Sequence, residues 1–383
     1  MIKRLRKIAI LAALSAIFFS CSDDNDPANP DPDPPIAMDD DYIPIPESPV
    51  VLDMDAFPFN TLSEYSFFEG NMKEQNPVLG VIPYEPISTL FTDYAKKKRF
   101  IWMPSDVQAT YAADTEVIDM PVGTFLIKTF YYTNVQPNND TRIIETRLML
   151  KKADDWYFAD YIWNDEQTEA TFSLSGSFTN VEFLENGEMK SANYRIPSEV
   201  ECFTCHKSGT SSVPIGLKPQ NLNSMYDFAD GTENQLQNLI DEGYLEDNLP
   251  TTINTVVKWS DDTQPIEMRV RSYIDINCAH CHQELSHCDY RPMRFAFDES
   301  ADPTNLGICV DPDESIPEMT KIVAPAQSES SVLYFRINTE AEEFRMPLLG
   351  RTIIHEEAVQ MIGQWIDGLT TECDSEGGGD GED

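Results

Sequence analysis

Two pentapeptides of the form Cys-x-x-Cys-His carry the clearest chemistry in this sequence: Cys202-Phe203-Thr204-Cys205-His206 and Cys278-Ala279-His280-Cys281-His282. Two thiols one helical turn apart can form thioethers to the two vinyl groups of one porphyrin. The histidine that follows can donate a ring nitrogen to the iron as proximal ligand. The spacing therefore predicts two covalently attached c-type haems. Cys202, Cys205, Cys278 and Cys281 are the attachment points, and His206 and His282 the iron ligands. Zinc is the competing reading of paired Cys-x-x-Cys units. The pairs of a zinc ribbon usually lie about 15–20 residues apart; here they are much farther apart, and each is followed by histidine.

Opposite ligands are less evenly signalled. Met346-Pro347, in the loop Phe344–Gly350, places a thioether ahead of a proline and before a terminal helix. Proline fixes its own φ and restrains the residue before it, which stiffens the presentation of the Met346 sulfur to the second iron. For the first iron, Met225, Met268 and the distant His355 are the candidates, and an open position is equally allowed. Met268 and Met225 are read rather as packing residues, and His355 as an exposed first-turn residue of the last helix. His280 is read as surface or as a contact with the other haem, and His287 as exposed. Arg345 and Arg351 could neutralise haem propionates.

Helices must deliver these groups. Ile266, Val270, Tyr273 and Ile274 fall at helix spacing just before the second motif. Ser198 reads as the N-cap of a short helix carrying the first motif. Thr232-Glu233-Asn234-Gln235 fits a capping box for a helix with Leu236, Leu239 and Ile240 on its apolar face, stopped by Gly243. One more helix is expected near Ser330–Ile337. The last runs from His355 to Leu369, with Val359, Ile362, Ile366 and Leu369 on one face, and crosses the helix ahead of the second motif. The stretch from Cys202 to Cys278 leaves little room for a complete first haem domain, so the first haem should share its pocket with the β-region or with the second haem domain.

The region 51–198 reads differently. Thr124–Tyr132, Thr141–Lys151 and Trp156–Trp163 are dense in β-branched and aromatic residues, with Ile144, Leu148 and Leu150 on one phase and Glu145, Arg147 and Lys151 on the other. They predict a twisted antiparallel sandwich or open barrel, its aromatics serving as core and as a wall against the haem segments. The fold class expected is α+β: an antiparallel β-rich domain followed by mainly α-helical cytochrome c-type domains. The first haem segment spans 199–260 and the C-terminal domain 261–372.

The N-terminus reads as an export signal. Met1–Lys7 is basic, Ile8–Phe19 is apolar but short for a membrane span, and Ser20-Cys21 resembles a bacterial lipobox. That resemblance implies removal of residues 1–20 and lipidation of Cys21. The acidic run Ser22–Asp26 is similar to surface-export signals of some Gram-negative lipoproteins. Residues 21–50, rich in Asp and Pro, read as a disordered tether, and the acidic, Gly-rich stretch 373–383 as a disordered tail. The 383 residues carry a net charge of −39 from 66 acidic and 27 basic residues. That excludes a nucleic-acid backbone as partner, since phosphate binding needs clustered Lys and Arg. Of the remaining cysteines, Cys288, Cys309 and Cys373, two could pair in an oxidising compartment. Cys288 with Cys309 is the simplest choice, and one thiol is left over in any scheme.

Taken together, the chain resembles exported di-haem c-type cytochromes with a β-rich N-terminal region. The resemblance rests on Leu90–Ala95, Pro121–Thr124 with Lys128–Phe130, Glu145–Leu148, Tyr194–Ser198 and Asn277–His282, and spans about Asn60 to Leu369. It implies haem binding and electron transfer with no assigned reaction. The C-terminal part is similar to class I cytochrome c, which implies His282 and Met346 as axial ligands. The expected function is a lipoprotein carrying electrons, at the outer membrane or in the periplasm, to a redox partner protein, with the lipid as its membrane contact. The competing expectation is a peroxidase-like or substrate-oxidising enzyme with an open first haem. A third is a binding module in which the β-region grips a glycan or partner.

Overall fold

The aromatic run Phe125–Val135 is the spine of an antiparallel sheet of eight strands. The structure is a computed structural model that describes residues 47–373. The segment expected to be a signal sequence, Cys21, nearly all of the expected tether and the acidic stretch from Asp374 lie outside the described residues. Residues 48–228 and 232–373 belong to one compact unit.

The strands are β1 (Ile82–Pro83), β2 (Lys96–Trp102), β3 (Phe125–Val135), β4 (Asp140–Lys151), β5 (Trp156–Trp163), β6 (Ala170–Phe172), β7 (Ser175–Glu185) and β8 (Glu188–Ser198). Their order is β8-β7-β3-β4-β5-β6, with β2 pairing the first half of β3 and β1 pairing β2. Asn186 and Gly187, both at positive φ, turn β7 into β8; this is the residue pair that a tight hairpin with right-handed twist demands.

Both faces of the sheet's centre are covered. Phe100, Trp102, Phe125, Ile127, Leu148, Leu150 and Tyr161 point to one side, where they meet Phe57, Leu62, Tyr65 and Phe67 from the chain ahead of the sheet. Ile101, Leu126, Met149 and Trp156 point to the other, against Leu217, Leu222, Leu236, Leu239 and Leu245 of the segment that follows the first motif. The sandwich expected from sequence is therefore corrected. The second layer is made of loops and short helices, and the other sheets among the described residues are two-stranded.

The helices are α1 (Glu199–His206), α2 (Pro219–Leu222), α3 (Gln235–Asp241), α4 (Ile266–Ile274), α5 (Val332–Ile337) and α6 (Glu356–Asp367). Ser198 caps α1 as expected, in a capping box with Glu201, whose carboxylate accepts from the Ser198 amide at 2.8 Å. The cap of α3 is Asn234 rather than Thr232; its side chain accepts from the amides of Leu236 and Gln237. α6 buries Val359, Met361, Ile362, Trp365 and Ile366 against Val270, Tyr273 and Ile274 of α4. Gly363 is required where α5 meets α6: a Cβ there would stand 2.9 Å from the Tyr334 ring.

The mainly helical haem domains expected from sequence are not found. Strand accounts for 28% and helix for 20%, so the fold is β-rich. Between α4 and α5 the chain runs in loops, bends and short turns. Pro292, Pro303, Pro312, Pro317 and Pro325 punctuate that stretch, each removing a helix donor and restraining the residue before it. The pairing expected for Cys288 and Cys309 is also corrected: Cys309 bonds to Cys373, tying this loop to the chain after α6, and Cys288 stays a buried free thiol.

Candidate functional site

The first motif rides on α1, which the register of β8 places beside the sheet. Cys202 is buried, and burial pushes its thiol up to about 12. The Nδ1–H of His206 donates to the carbonyl of Val213 at 2.7 Å. A carbonyl can only accept, so this bond fixes the tautomer and leaves Nε2 with its lone pair, the form a metal takes. Burial pulls the His206 ring down to about 4, which keeps it neutral.

The second motif begins where α4 widens into a π-turn, Asp275–Ala279, which carries Cys278. Local π geometry within helices often marks functional positions. Burial pushes Cys278 up to about 12 and pulls His282 down to about 4. The Nδ1 of His282 is buried with no hydrogen-bond partner.

Each motif opens on its own cavity. That of the second measures about 300 Å³, and Cys278, Cys281, His282 and Met346 all line it. Its walls are largely apolar, with Phe295, Ile322, Val332 and Leu333 among them. Arg351 sets the loop that carries Met346. Its guanidinium is buried and donates to the carbonyls of Met346, Arg336 and Thr339 at 2.8–2.9 Å, and to that of Ile353 at 3.4 Å. Arg351 is thus committed to backbone carbonyls rather than to propionates, whereas Arg345 pairs with Glu342 at 3.6 Å. The cations lining the cavity are Arg291 and Arg336, which pair with Asp313 and Glu314 at its edge.

The cavity of the first motif is smaller, about 130 Å³, and one of its walls is the sheet. Lys128, Arg147 and Asp160 face it from β3, β4 and β5, together with Leu126, Met149 and Phe158. The register sets Arg99, Lys128, Arg147 and Asp160 directly opposite one another across four strands. Like charges in facing positions repel, so the row needs compensation. Glu145, wholly buried, supplies part of it: its carboxylate accepts from Arg147 and from Tyr194, both at 2.5 Å. Burial opposes the ionisation of Glu145, but Arg147 prevails and holds it below the usual carboxylate range. Burial and the charge on Glu145 push Asp160 well above that range, so one of the two neighbouring acids is charged and the other neutral.

None of the sequence-derived sixth ligands for the first motif lines this cavity. Met225 is 64% exposed. Met268 accepts a weak contact from Arg271 at 3.9 Å. His355 is buried rather than exposed: it stacks on Phe91 with ring centroids 4.0 Å apart, and its Nδ1 lies 3.0 Å from the Tyr273 hydroxyl. The thioether that does line the cavity is Met149.

The two motifs meet. Cys205, Asn277, His280, Pro347 and Leu349 line both cavities, so a single layer of side chains separates them. Donor atoms of Cys205, His280 and Cys281 lie within 4.8 Å of one another. A hydrogen bond between the two thiols pulls Cys205 well below the ordinary thiol range and pushes Cys281 up. His280 is therefore an inter-motif residue rather than a surface one, whereas His287 is exposed as expected.

No known family, curated protein or solved structure matches the chain. The test of the sites is thus their own chemistry. At the second motif the donor set fits a haem: two thiols, an imidazole and a thioether converge on one apolar cavity within the usual range of about 300–1,000 Å³ for a sizeable ligand. At the first, the thiols and the oriented imidazole fit. The cavity is below that range, so a porphyrin there requires the shared wall at Pro347 and Leu349 to yield. Sequence reasoning missed Lys128, Arg147 and Asp160 as cavity residues, and Glu145 as the buried partner of Arg147. For Arg147 and Glu145 the signal is the polar phase of the β4 run; for Lys128 and Asp160 it lies in the strand register.

Proposed function

We propose that the chain is a di-haem c-type cytochrome, exported and anchored by lipid at Cys21, that carries electrons to a redox partner protein at the outer membrane or in the periplasm. Cys202 and Cys205 hold one haem with His206 as ligand. Cys278 and Cys281 hold the other, with His282 and Met346 as ligands. The observation that carries the reading is the convergence of His282 and Met346, far apart in sequence, on the one cavity that Cys278 and Cys281 also line. When bound, haem iron supplies reversible one-electron chemistry, and a thioether ligand raises its reduction potential relative to two histidines.

The protein's own part is positional. Arg351 fixes the carbonyl of Met346 and thereby the loop that presents the sulfur. The Val213 carbonyl fixes the ring of His206. The apolar part of the second cavity's lining offers a porphyrin face a low-polarity surface, and Arg291 and Arg336 offer positive charge to carboxylates at its edge. Met149, a core residue on the sheet wall, is the thioether that lines the first cavity.

Haem stoichiometry and spin state of the mature protein, made in cells with the attachment machinery, test the reading. Two haems per chain, both low-spin, support the carrier. A high-spin first haem supports the substrate-oxidising alternative. Colourless protein with free or bridged sulfurs ends both.

A further inference from the structure

The layer between the two cavities holds a cluster of donor groups of its own. One cysteine of each motif, Cys205 and Cys281, meets there with His280, and the three donor atoms lie within 4.8 Å of one another. In a tetrahedral zinc site with Zn–S bonds of about 2.3 Å and Zn–N bonds of about 2.0–2.1 Å, donor atoms stand roughly 3.3–3.8 Å apart. No pair in the cluster therefore exceeds the tetrahedral separation by more than roughly 1–1.5 Å, a distance that side-chain rotation can close. All three residues are half-buried, so an ion can reach them. A second observation points the same way: the His280 Nδ1 is buried without a hydrogen-bond partner. The Cys281 sulfur meets the Cys205 thiol and makes a further long contact, 3.9 Å, to the Thr204 carbonyl. The wide sequence separation that argues against a zinc ribbon does not apply to this site, because folding brings one member of each pair together.

We propose that the haem-free chain binds one zinc(II) ion through Cys205, His280 and Cys281. Two sulfurs and one imidazole are a donor set that suits zinc, with a fourth position left for water or for the free thiol of Cys288, which lines the second cavity beside Cys281. The site itself does not depend on the haem reading, but its consequence rests on that reading. Thioether formation adds a thiol across a vinyl group: the sulfur bonds to one carbon and the proton goes to its neighbour. One ion at this place withdraws a thiol from each motif, so it blocks attachment at both motifs at once. Conversely, attached haems convert both sulfurs to thioethers and abolish the ion site.

The test uses the full mature chain made without attachment machinery, reduced, and titrated with zinc(II) alone against a chromophoric chelator. One ion per chain is expected. Cys205→Ser, Cys281→Ser and His280→Ala should each weaken binding at least tenfold, whereas Cys202→Ser and Cys278→Ser should leave it within about threefold. Near-ultraviolet circular dichroism checks that each variant is folded. The proposal is overturned by an absence of stoichiometric binding, or by Cys202→Ser and Cys278→Ser losing the ion as fully as the other cysteine variants, which would place it within the individual motifs. It is also overturned if protein with two attached haems binds zinc as tightly as the haem-free chain. Failure of haem attachment in competent cells, with zinc binding intact, would remove the proposed function and leave this site standing.

Discussion

The two motifs share a pentapeptide and little else. The second sits in a cavity made mostly by its own region, with Thr204 and Cys205 of the first motif in its wall: α4, α5, α6 and the loops between them form a separate core, and Met346, the proposed sulfur ligand, comes from a loop tied down by Arg351. The first has no such enclosure. α1 leans on a sheet built by the preceding region, and the opposite wall is borrowed from the second motif and the Met346 loop. The same local chemistry is thus supported by a largely self-contained surround in one case and by a composite in the other. The composite wall carries its charges on the sheet, whereas the second cavity pairs its charges, Arg291 and Arg336 with Asp313 and Glu314, at the edge of a largely apolar lining.

The comparison is broken most directly by deleting one motif at a time. Cys278→Ser with Cys281→Ser should halve haem content and leave the first haem attached, and Cys202→Ser with Cys205→Ser should do the converse, read by pyridine haemochrome. If the first haem is lost along with the second, the composite pocket needs its neighbour filled.

The next effect is on the sheet wall. Glu145→Leu leaves Arg147, whose side chain is 29% exposed, without its partner, so the loss should fall below the about 3–5 kcal/mol that breaking a fully buried pair costs. Denaturant unfolding should show that loss, and pairing the change with Arg147→Met should recover much of it. The first haem's spectrum should shift while the second's does not.

Arg351→Met sharpens the other side. It leaves the carbonyls of Met346, Arg336 and Thr339 without their donor, at a cost of about 3 kcal/mol. The band from the sulfur–iron bond near the red end of the ferric spectrum should weaken while the first haem is unchanged.

The smallest effect is a pH dependence away from both motifs. Burial pulls His355 down to about 3, below its ordinary value of about 6.5. A depressed pKa means that the unfolded chain binds the proton first. The stability tied to neutral His355 is therefore complete above about pH 6.5 and is lost as the pH falls toward 3. Between pH 7 and 5.5 the loss is about 1 kcal/mol. The difference in unfolding free energy between the parent and His355→Gln should narrow over that window, and a difference that stays constant would refute the assignment.

Much of the second site was legible because its signals are local. Two cysteines and a histidine at fixed spacing, a methionine before a proline, and helix periodicity around Val270 and Ile362 each speak within a few residues. The surround of the first site was not, because it depends on strand register. Glu145, Arg147 and Asp160 look like the solvent phase of half-buried strands, and only pairing shows that this phase faces α1. His355 looked exposed because a first-turn histidine ahead of two glutamates usually is; Phe91, Tyr94 and Trp259, from distant parts of the chain, enclose it. The helical content of the C-terminal half was overread from its motifs, and the prolines between Pro292 and Pro325 were the contrary sign.

The thin partition between the cavities has a practical consequence. Pro347 and Leu349 belong to both, so an enlargement at either residue intrudes on two chambers at once. Single changes there cannot be assigned to one centre, and the effects of paired changes on opposite sides will not add. Any attempt to retune one chamber alone has to begin from residues that only it owns, such as Met149 or Phe295.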